Sequence, residues 1–375
     1  MSQSAHMSDD STGTAAHLVV SAICDWWVKS CVSSKGESSR LVIAVSGGID
    51  SLALLRGFLL VSQLDVWRQD HGFPEKSDWL IAHFNHQVRG QAADDDALWV
   101  KQLAVQEQLY VRKGDRQTEA GQGAGEIDHA SISEEALRRS RYDFLRRVAE
   151  EHQAKCIVLA HHADDQAETV LHHLLRGSSF SGLAGMRRSQ PFEPSLTLER
   201  PLLGLNKSTL RQFLLEIGQD WREDRTNSET VWTRNALRQL VLPALDDALV
   251  KMGIRRTSSQ SLLQLAKHSQ EVETHLQNLA DELLKESVLE CGFAKFQVAP
   301  WRKRQPIVQR EAFKQIWIRN QWPRKDLAAR HLERLCEFLG DYKQPLSGDF
   351  PGGIRMTRRR DWFSLTPINL EESPG

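Results

Sequence analysis

Ala44-Val45-Ser46-Gly47-Gly48-Ile49-Asp50-Ser51 is the stretch on which the fold turns. An apolar, β-rich run, Leu41 to Val45, enters it, and a run at helical spacing, Leu52 to Val61, leaves it. Strand, glycine turn and helix in that order aim the free N–H groups at the helix start, and the positive end of its dipole, back at the turn. Two glycines allow a tight turn and close approach of backbone to a ligand. This is an anion site with phosphate as the usual occupant, and Ser46 and Ser51 add hydroxyl donors. The stretch lacks the lysine of G-x-x-x-x-G-K-[ST] and does not fit G-x-G-x-x-G or G-x-S-x-G. A Walker-type loop, a dinucleotide fold and a nucleophile elbow are thereby set aside.

Outward from the turn the alternation repeats. The patterns predict strands at 79–84, 110–112 and 156–160, and helices at 16–32, 92–109, 133–153 and 163–176. Strands separated by helices need crossover connections. The expected class is α/β: a mostly parallel, Rossmann-like sheet with helices on both faces. Residues 177–201, broken by Gly, Ser and Pro, read as an excursion over the open end of the sheet. Helices follow at 206–217 and 233–249, then a long one at 258–289. The expected domains are a disordered tail over 1–15, the α/β domain over 16–232, a helical connector over 233–292 and a small α+β module over 293–375.

The chain has 375 residues, 40% hydrophobic and 26% charged, enough to build a core and too apolar for a disordered chain. No run nears the roughly 18 apolar residues of a membrane helix, and no signal peptide is read. Five cysteines, dispersed and without C-x-x-C spacing, argue for reduced thiols, a cytoplasmic location, and against zinc, iron–sulfur and disulfide scaffolds. The net charge of −1 divides unevenly. Residues 301–375 hold 15 Lys/Arg against 9 Asp/Glu, a net of +6, which leaves −7 for residues 1–300. An acidic front with a basic tail suggests a polyanionic partner at the C-terminal end, although a merely solvated basic surface has the same composition.

The second chemical signal is Ala160-His161-His162-Ala163-Asp164-Asp165-Gln166-Ala167-Glu168-Thr169. It begins at the end of the 156–160 strand, where open α/β sheets place ligands. Asp165 and Glu168 lie about one helical turn apart and can share a face. Paired carboxylates beside a phosphate site can hold magnesium or an ammonium group. Acids in a first helical turn also stabilise the dipole without any further task.

The S-G-G-x-D-S of residues 46–51 resembles the PP-loop of the N-type ATP pyrophosphatases, and the two signals together resemble the tRNA(Ile)-lysidine synthases. Further motifs follow in that family's order. Glu134-x-x-Leu137-Arg138-x-x-Arg141-Tyr142 has Leu137 where the family usually has Ala. Then come Arg176-Gly177-Ser178, Gly182-Leu183-x-x-Met186, Arg200-Pro201-Leu202-Leu203, Asp220-Trp221-x-Glu223-Asp224-x-x-Asn227, Arg234-Asn235-x-x-Arg238 and Pro243-x-Leu245. The likeness covers roughly 40–250 and is looser beyond, ending in Pro351-Gly352-Gly353-Ile354-Arg355. One departure is Asn85-His86, where many relatives have Asp-His.

The resemblance implies an adenine nucleotide α hydrolase-like fold and a cytoplasmic ligase. Its substrates would be ATP, free L-lysine and the wobble cytidine of a tRNA(Ile) with a CAU anticodon. ATP adenylates the C2 oxygen, pyrophosphate leaves, the lysine ε-amine attacks C2 and AMP departs. Ser46, Gly47, Gly48, Ile49, Asp50 and Ser51 would grip the pyrophosphate end of ATP, with Asp50 close to magnesium or to the reacting phosphate. Asp165 and Glu168 would take the ammonium groups of lysine; Arg138, Arg234 and Arg238 would face phosphates. His161 or His162 would carry a proton or contact the nucleotide, and the sequence does not choose between them. Arg187-Arg188 and the basic tail are candidate tRNA contacts; Trp301, Trp317 and Trp322 read first as core and second as base-stacking platforms. The oligomeric state is open, and the resemblance allows a homodimer. Competing readings are a tRNA thiolase, a free-substrate amidotransferase such as GMP synthetase, and a catalytically dead tRNA-binding module.

Overall fold

The computed structural model describes residues 14–30, 40–85, 91–115, 134–222, 233–285, 287–290, 292–324, 326–340 and 346–368. His86, the loop expected over 118–130, Glu223, Asp224, Asn227 and nearly all of the expected tail lie outside them. The chain divides into two compact units, Met1–Ala266 and Lys267–Gly375.

The first unit runs α1 (Ala15–Lys29), β1 (Leu41–Ala44), α2 (Ile49–Ser62), α3 (Asp65–His71), β2 (Trp79–Asn85), α4 (Gln91–Gln106), β3 (Tyr110–Asp115), α5 (Glu134–His152), β4 (Cys156–Val158) and α6 (Ala163–Leu175). It continues with α7 (Phe180–Leu183), β5 (Ser189–Glu193), β6 (Leu196–Glu199), α8 (Lys207–Glu216), α9 (Thr233–Ala236), a π-helical turn (Leu237–Val241) and α10 (Leu242–Lys251). The strands form one sheet in the order β3-β2-β1-β4-β6-β5, parallel except for the β5 edge.

The central strands β1, β2 and β4 are buried on both faces and so read as apolar runs, whereas the edge strands β3 and β5 are largely exposed. Leu41 and Ile43 of β1 face a cluster with Trp26, Trp27, Phe58 and Phe213 from α1, α2 and α8. Val42, between them, faces the opposite cluster with Phe144, Leu145 and Val148 of α5. That period of two is what a strand imposes on its side chains. Each fully buried Phe or Trp contributes roughly 1.5–3 kcal/mol over leaving it exposed, so these layers fix where the strand ends lie. Gly57 lets α1 and α2 close up, since a Cβ there would stand 2.4 Å from Ile23 Cδ1.

Two elements differ from the sequence expectation: the helix expected over 258–289 ends at Leu284, with Val288–Glu290 in a strand, and residues 177–201 hold strands. The 177–201 excursion contains β5 and β6, which extend the sheet beyond β4. Their Pro191 and the Glu193 irregularity interrupt the alternation that would have marked them. The expected 233–249 helix runs without a break through the π-helical turn, whose flanking residues keep αR backbone, and Pro243 sits just past that turn.

α11 (Ser258–Leu284) carries residues of both units. The second unit then holds β7 (Val288–Glu290), β8 (Phe293–Gln297), α12 (Val298–Arg302), α13 (Pro306–Arg319), α14 (Ala329–Glu337), β9 (Leu346–Phe350), β10 (Ile354–Arg359) and β11 (Trp362–Pro367). Its sheet is antiparallel in the order β7-β8-β11-β10-β9. Trp301 stacks on Phe296 with ring centroids 3.9 Å apart, and Trp317 meets Trp322 edge-on at 5.1 Å. All three tryptophans are buried in this core, so base stacking by them is ruled out. Lys303, Arg324, Arg330, Arg359 and Arg360 are exposed.

Candidate active site

The turn leaves β1 at Val45 and enters α2 at Ile49. Gly47 takes φ +94°, and a Cβ there would press on Val100 Cγ2 at 3.3 Å. Both facts call for glycine. The Ser51 hydroxyl organises the turn. It accepts from the Ser46 and Gly47 amides at 3.1 and 3.2 Å and donates to the Gly48 carbonyl at 3.0 Å. The Ser46 hydroxyl lies 3.1 Å from that of Ser51. From outside, the Arg222 amide donates to the Gly47 carbonyl at 3.0 Å.

Asp50, in the first turn of α2, meets the start of α6. Its Oδ1 lies 3.5 Å from His162 Nε2, which brings the two sequence signals into one place. His162 is 1% exposed and faces three carboxylates, with Asp164 Oδ2 at 3.3 Å from Nδ1 and Asp165 Oδ2 at 3.4 Å from Nε2. Among the described residues neither ring nitrogen has a hydrogen bond of good geometry, and the carboxylates act on the ring as close charged neighbours, Asp164 and Asp50 most strongly. Burial pulls the His162 pKa down; Asp164, Asp50 and Asp165 outweigh it and raise it to about 10. His162 is therefore an imidazolium at neutral pH. Its field, with the Lys207 amide that donates to Asp164 at 2.8 Å, holds Asp164 at about 2. Burial opposes the charge on Asp50, but His162, Lys207 and Arg238 prevail and keep its pKa below the ordinary value.

Glu168 is buried on α6, with both oxygens taken by Arg238: Nε donates to Oε1 at 2.6 Å and Nη2 to Oε2 at 3.1 Å. Burial nonetheless raises the Glu168 pKa against the pull of Arg238. Asp165 Oδ2 accepts the His162 amide at 3.1 Å, and its Oδ1 stands 3.6 Å from Arg238 Nη2. Asp165 is the more open member of the pair, its side chain 23% exposed against 3% for Glu168.

His161 points elsewhere. Its Nδ1 accepts from Arg200 Nε at 3.2 Å, so a neutral His161 carries its proton on Nε2. Arg200 is buried, and its Nη1 donates to the Arg187 carbonyl at 2.8 Å. Arg138 joins this side of the site through Tyr142: its guanidinium lies 5.0 Å from the ring centroid and Nη2 donates to the hydroxyl at 3.3 Å. Burial raises the Tyr142 pKa, yet Arg138, Arg141 and Arg200 lower it overall. Arg234 is in α9, with its side chain outside the described residues. Arg187 and Arg188 both offer carbonyls to Arg200, which ties the 186–188 backbone down beside His161.

The sequence reading missed Lys207 as a site residue: its Nζ lies 3.9 Å from Asp50 Oδ2. No local motif marks it, because the contact arises only when α8, which packs on α1 and α2, brings its first residue beside Asp50. Asp164 and Arg200 lie within the 160–169 and 200–203 motifs, which assign them no task; the structure gives them the anchoring roles just described.

Magnesium commonly bridges one or two carboxylates and substrate phosphates rather than occupying an all-protein cage. Asp50 Oδ1, buried at the turn and without a hydrogen-bond partner among the described residues, fits that use. Among the described residues no group of three His, Cys, Asp or Glu forms such a cage. No helix there is long and apolar enough to cross a membrane.

Residues 26–245 match the PP-loop domain family. A tRNA(Ile)-lysidine synthase of Rhodopirellula baltica is 30% identical over 340 residues, covering 82% of this chain and 81% of that one. A protein of the same name from Bacillus thuringiensis is 28% identical, with 86% of this chain covered, and the chain spans 64% of that relative's length. Among solved structures, the U34-tRNA thiolase NcsA of Methanococcus maripaludis with its [4Fe-4S] cluster superposes with a TM-score of 0.52 at 14% identity, over 68% of this chain and 78% of that one, a likeness of fold. On the strength of the domain match and of the first relative, the chain belongs to the PP-loop family and, within it, to the tRNA(Ile)-lysidine synthases.

Proposed function

We propose that this protein ligates free L-lysine to C2 of the wobble cytidine of a CAU-anticodon tRNA(Ile), at the expense of ATP. The single observation that carries the reading is the meeting of Asp50 and His162, which joins the phosphate turn to the acidic helix start. ATP lies with its phosphates against residues 46–51. The cytosine C2 oxygen bonds to the α-phosphorus, the bond to the bridging oxygen breaks, and pyrophosphate leaves with the electron pair. Magnesium bound at Asp50 would supply positive charge for the phosphates. The lysine ε-amine then bonds to C2, the C2–O bond breaks and AMP departs.

The proton lost by the amine needs a base. His162 is charged at neutral pH and cannot accept it. His161 Nδ1 is occupied by Arg200, which leaves His161 as a donor through Nε2. Asp165 is the open carboxylate and takes both the ammonium of incoming lysine and the released proton. Glu168 and Arg238 act behind it as a pair that fixes its position. Arg138, with Arg200, supplies positive charge on the His161 side, and Arg234 is assigned to phosphate by the family motif.

The thiolase alternative needs reactive cysteines. Cys156 is fully buried and its thiol is pushed well above the ordinary value by burial; Cys24 and Cys336 are raised to about 11, again chiefly by burial. None of these three is a thiolate at neutral pH. The test is mass spectrometry of tRNA(Ile) after incubation with ATP and isotopically heavy lysine. Incorporation of the heavy label at the wobble cytidine is expected. Sulfur transfer without lysine incorporation would replace this reading with the thiolase.

A further inference from the structure

The glycine turn carries no lysine of its own, so the positive charge for the phosphates must come from elsewhere in the chain. The charged groups that hold Asp50 ionised are His162, Lys207 and Arg238. His162 is sealed from solvent among three carboxylates, and Arg238 has Nε and Nη2 on Glu168. Lys207 differs from His162 in exposure, its side chain being 38% exposed against 1%, and from Arg238 in that its Nζ stands 3.9 Å from Asp50 Oδ2, beyond hydrogen-bond distance. A half-exposed ion pair at that separation adds little to folding.

The backbone of Lys207 is nevertheless fixed. Its amide donates to Asp164 Oδ2 at 2.8 Å, and the Ala163 amide donates to the Leu205 carbonyl at 2.8 Å. The start of α8 is thereby fastened to the start of α6, the same helix start that places His162 against Asp50. A rigid stem whose ammonium makes no hydrogen bond among the described residues is suited to an anion that arrives, not to one already present.

We infer that Lys207 is a catalytic residue whose ammonium contacts the β- and γ-phosphates of ATP and neutralises pyrophosphate as it leaves. This rests on the lysidine-synthase reading of the site and adds a residue to it. When the cytosine oxygen bonds to the α-phosphorus, the bridging oxygen takes the electron pair of the broken bond. Lys207 faces that charge, and no proton moves to or from it. A Walker-type loop draws the same help from a lysine inside its own motif; here a separate helix delivers it.

The test compares the full chain with K207M and K207R, using ATP and tRNA(Ile) with lysine omitted, and reads pyrophosphate release together with tRNA affinity. K207M should lower the single-turnover rate constant for pyrophosphate release roughly 100-fold, as loss of one charge-stabilising group does, while tRNA affinity stays at the wild-type value. K207R restores a positive charge and should recover activity to within about tenfold of wild type. K207M within about threefold of wild type would overturn the inference, and so would equal losses in K207M and K207R, which would show a need for shape and not charge. If the wild-type protein releases no pyrophosphate, the lysidine-synthase reading itself fails, and this inference with it. An active wild type with an equally active K207M removes the inference alone.

Discussion

Arg238 Nε lies 2.6 Å from Glu168 Oε1, and its Nη2 reaches both Glu168 Oε2 at 3.1 Å and Asp165 Oδ1 at 3.6 Å. One guanidinium thus ties together the two carboxylates of α6 that the sequence offered as the lysine site. The π-helical turn Leu237–Val241 contains Arg238 and presents it to α6. Such turns are rare and collect at functional sites. The pairing divides the labour: Glu168 is held from behind, and Asp165 remains the side that solvent and substrate can reach.

Removing one partner of a buried pair leaves the other charged and unsatisfied. Arg238→Met should therefore destabilise the protein by roughly 1–3 kcal/mol, less than a fully buried pair because Arg238 is 34% exposed. Glu168→Gln combined with Arg238→Met should recover part of that loss. Urea unfolding of the two single variants and the double variant measures the coupling. Additive losses, within about 0.5 kcal/mol, would mean that the two side chains do not depend on each other.

Asp50→Asn keeps the shape of the side chain and removes its charge. Adenylation should fall by roughly 100-fold or more, while tRNA binding persists, because Asp50 belongs to the turn and not to a tRNA surface. Pyrophosphate release with lysine omitted, paired with a binding titration, separates the two. Adenylation at the wild-type rate would remove Asp50 from the proposed chemistry.

The strand–turn–helix at 41–62 was legible because local chemistry dictates it: an apolar run, glycines that tolerate positive φ, then helical spacing. The α6 start was legible for the same reason. β5 and β6 were not, since a short edge strand carrying Pro191 has no clean alternation. Nor could spacing show that Glu168 is occupied by Arg238 or that Lys207 reaches Asp50. Both contacts join elements distant in sequence, and they exist only after α8 packs on α2 and the 237–241 turn packs on α6. The choice between His161 and His162 has the same origin: adjacent in sequence, one is buried among carboxylates and the other is turned toward Arg200.

His162 also sets a pH dependence. Its folded pKa of about 10 lies above its ordinary 6.5, so the stability it contributes is fully present below pH 6.5 and is lost as pH rises through 10. Asp164, lowered from 3.8 to about 2 by His162, acts in the opposite direction, losing its contribution as pH falls through 2. Urea midpoints in the presence of a chelator should decline from neutral pH toward pH 10. His162→Gln should abolish that decline. A wild-type protein equally stable at pH 7 and pH 10 would contradict the charge assigned to His162.

Gly47→Ala tests the turn itself. At φ +94° an alanine is strained, and its Cβ would meet Val100 Cγ2 at 3.3 Å. The cost should be roughly 1–3 kcal/mol, absorbed by distorting the amides that Ser51 now gathers. A raised KM for ATP with an unchanged KM for lysine is the expected outcome of steady-state kinetics. An unchanged KM for ATP would mean that the nucleotide does not use this turn.

The last prediction concerns the second unit. Its tryptophans are core, which leaves charge as the means by which this unit would meet tRNA. Lys303, Arg324, Arg359 and Arg360 are exposed, unlike Arg358, which is buried with its guanidinium on the Phe338 carbonyl. Replacing those four by Gln leaves the core intact and removes four positive charges. Contacts to phosphate release counterions, so each one lost should reduce the slope of log affinity against log salt by about one. Weaker tRNA binding at low salt with a flatter slope is therefore expected, and unfolding by urea should be unaltered. An unchanged slope would mean that the basic composition of residues 301–375 is a solvated surface, and that tRNA is held by the first unit.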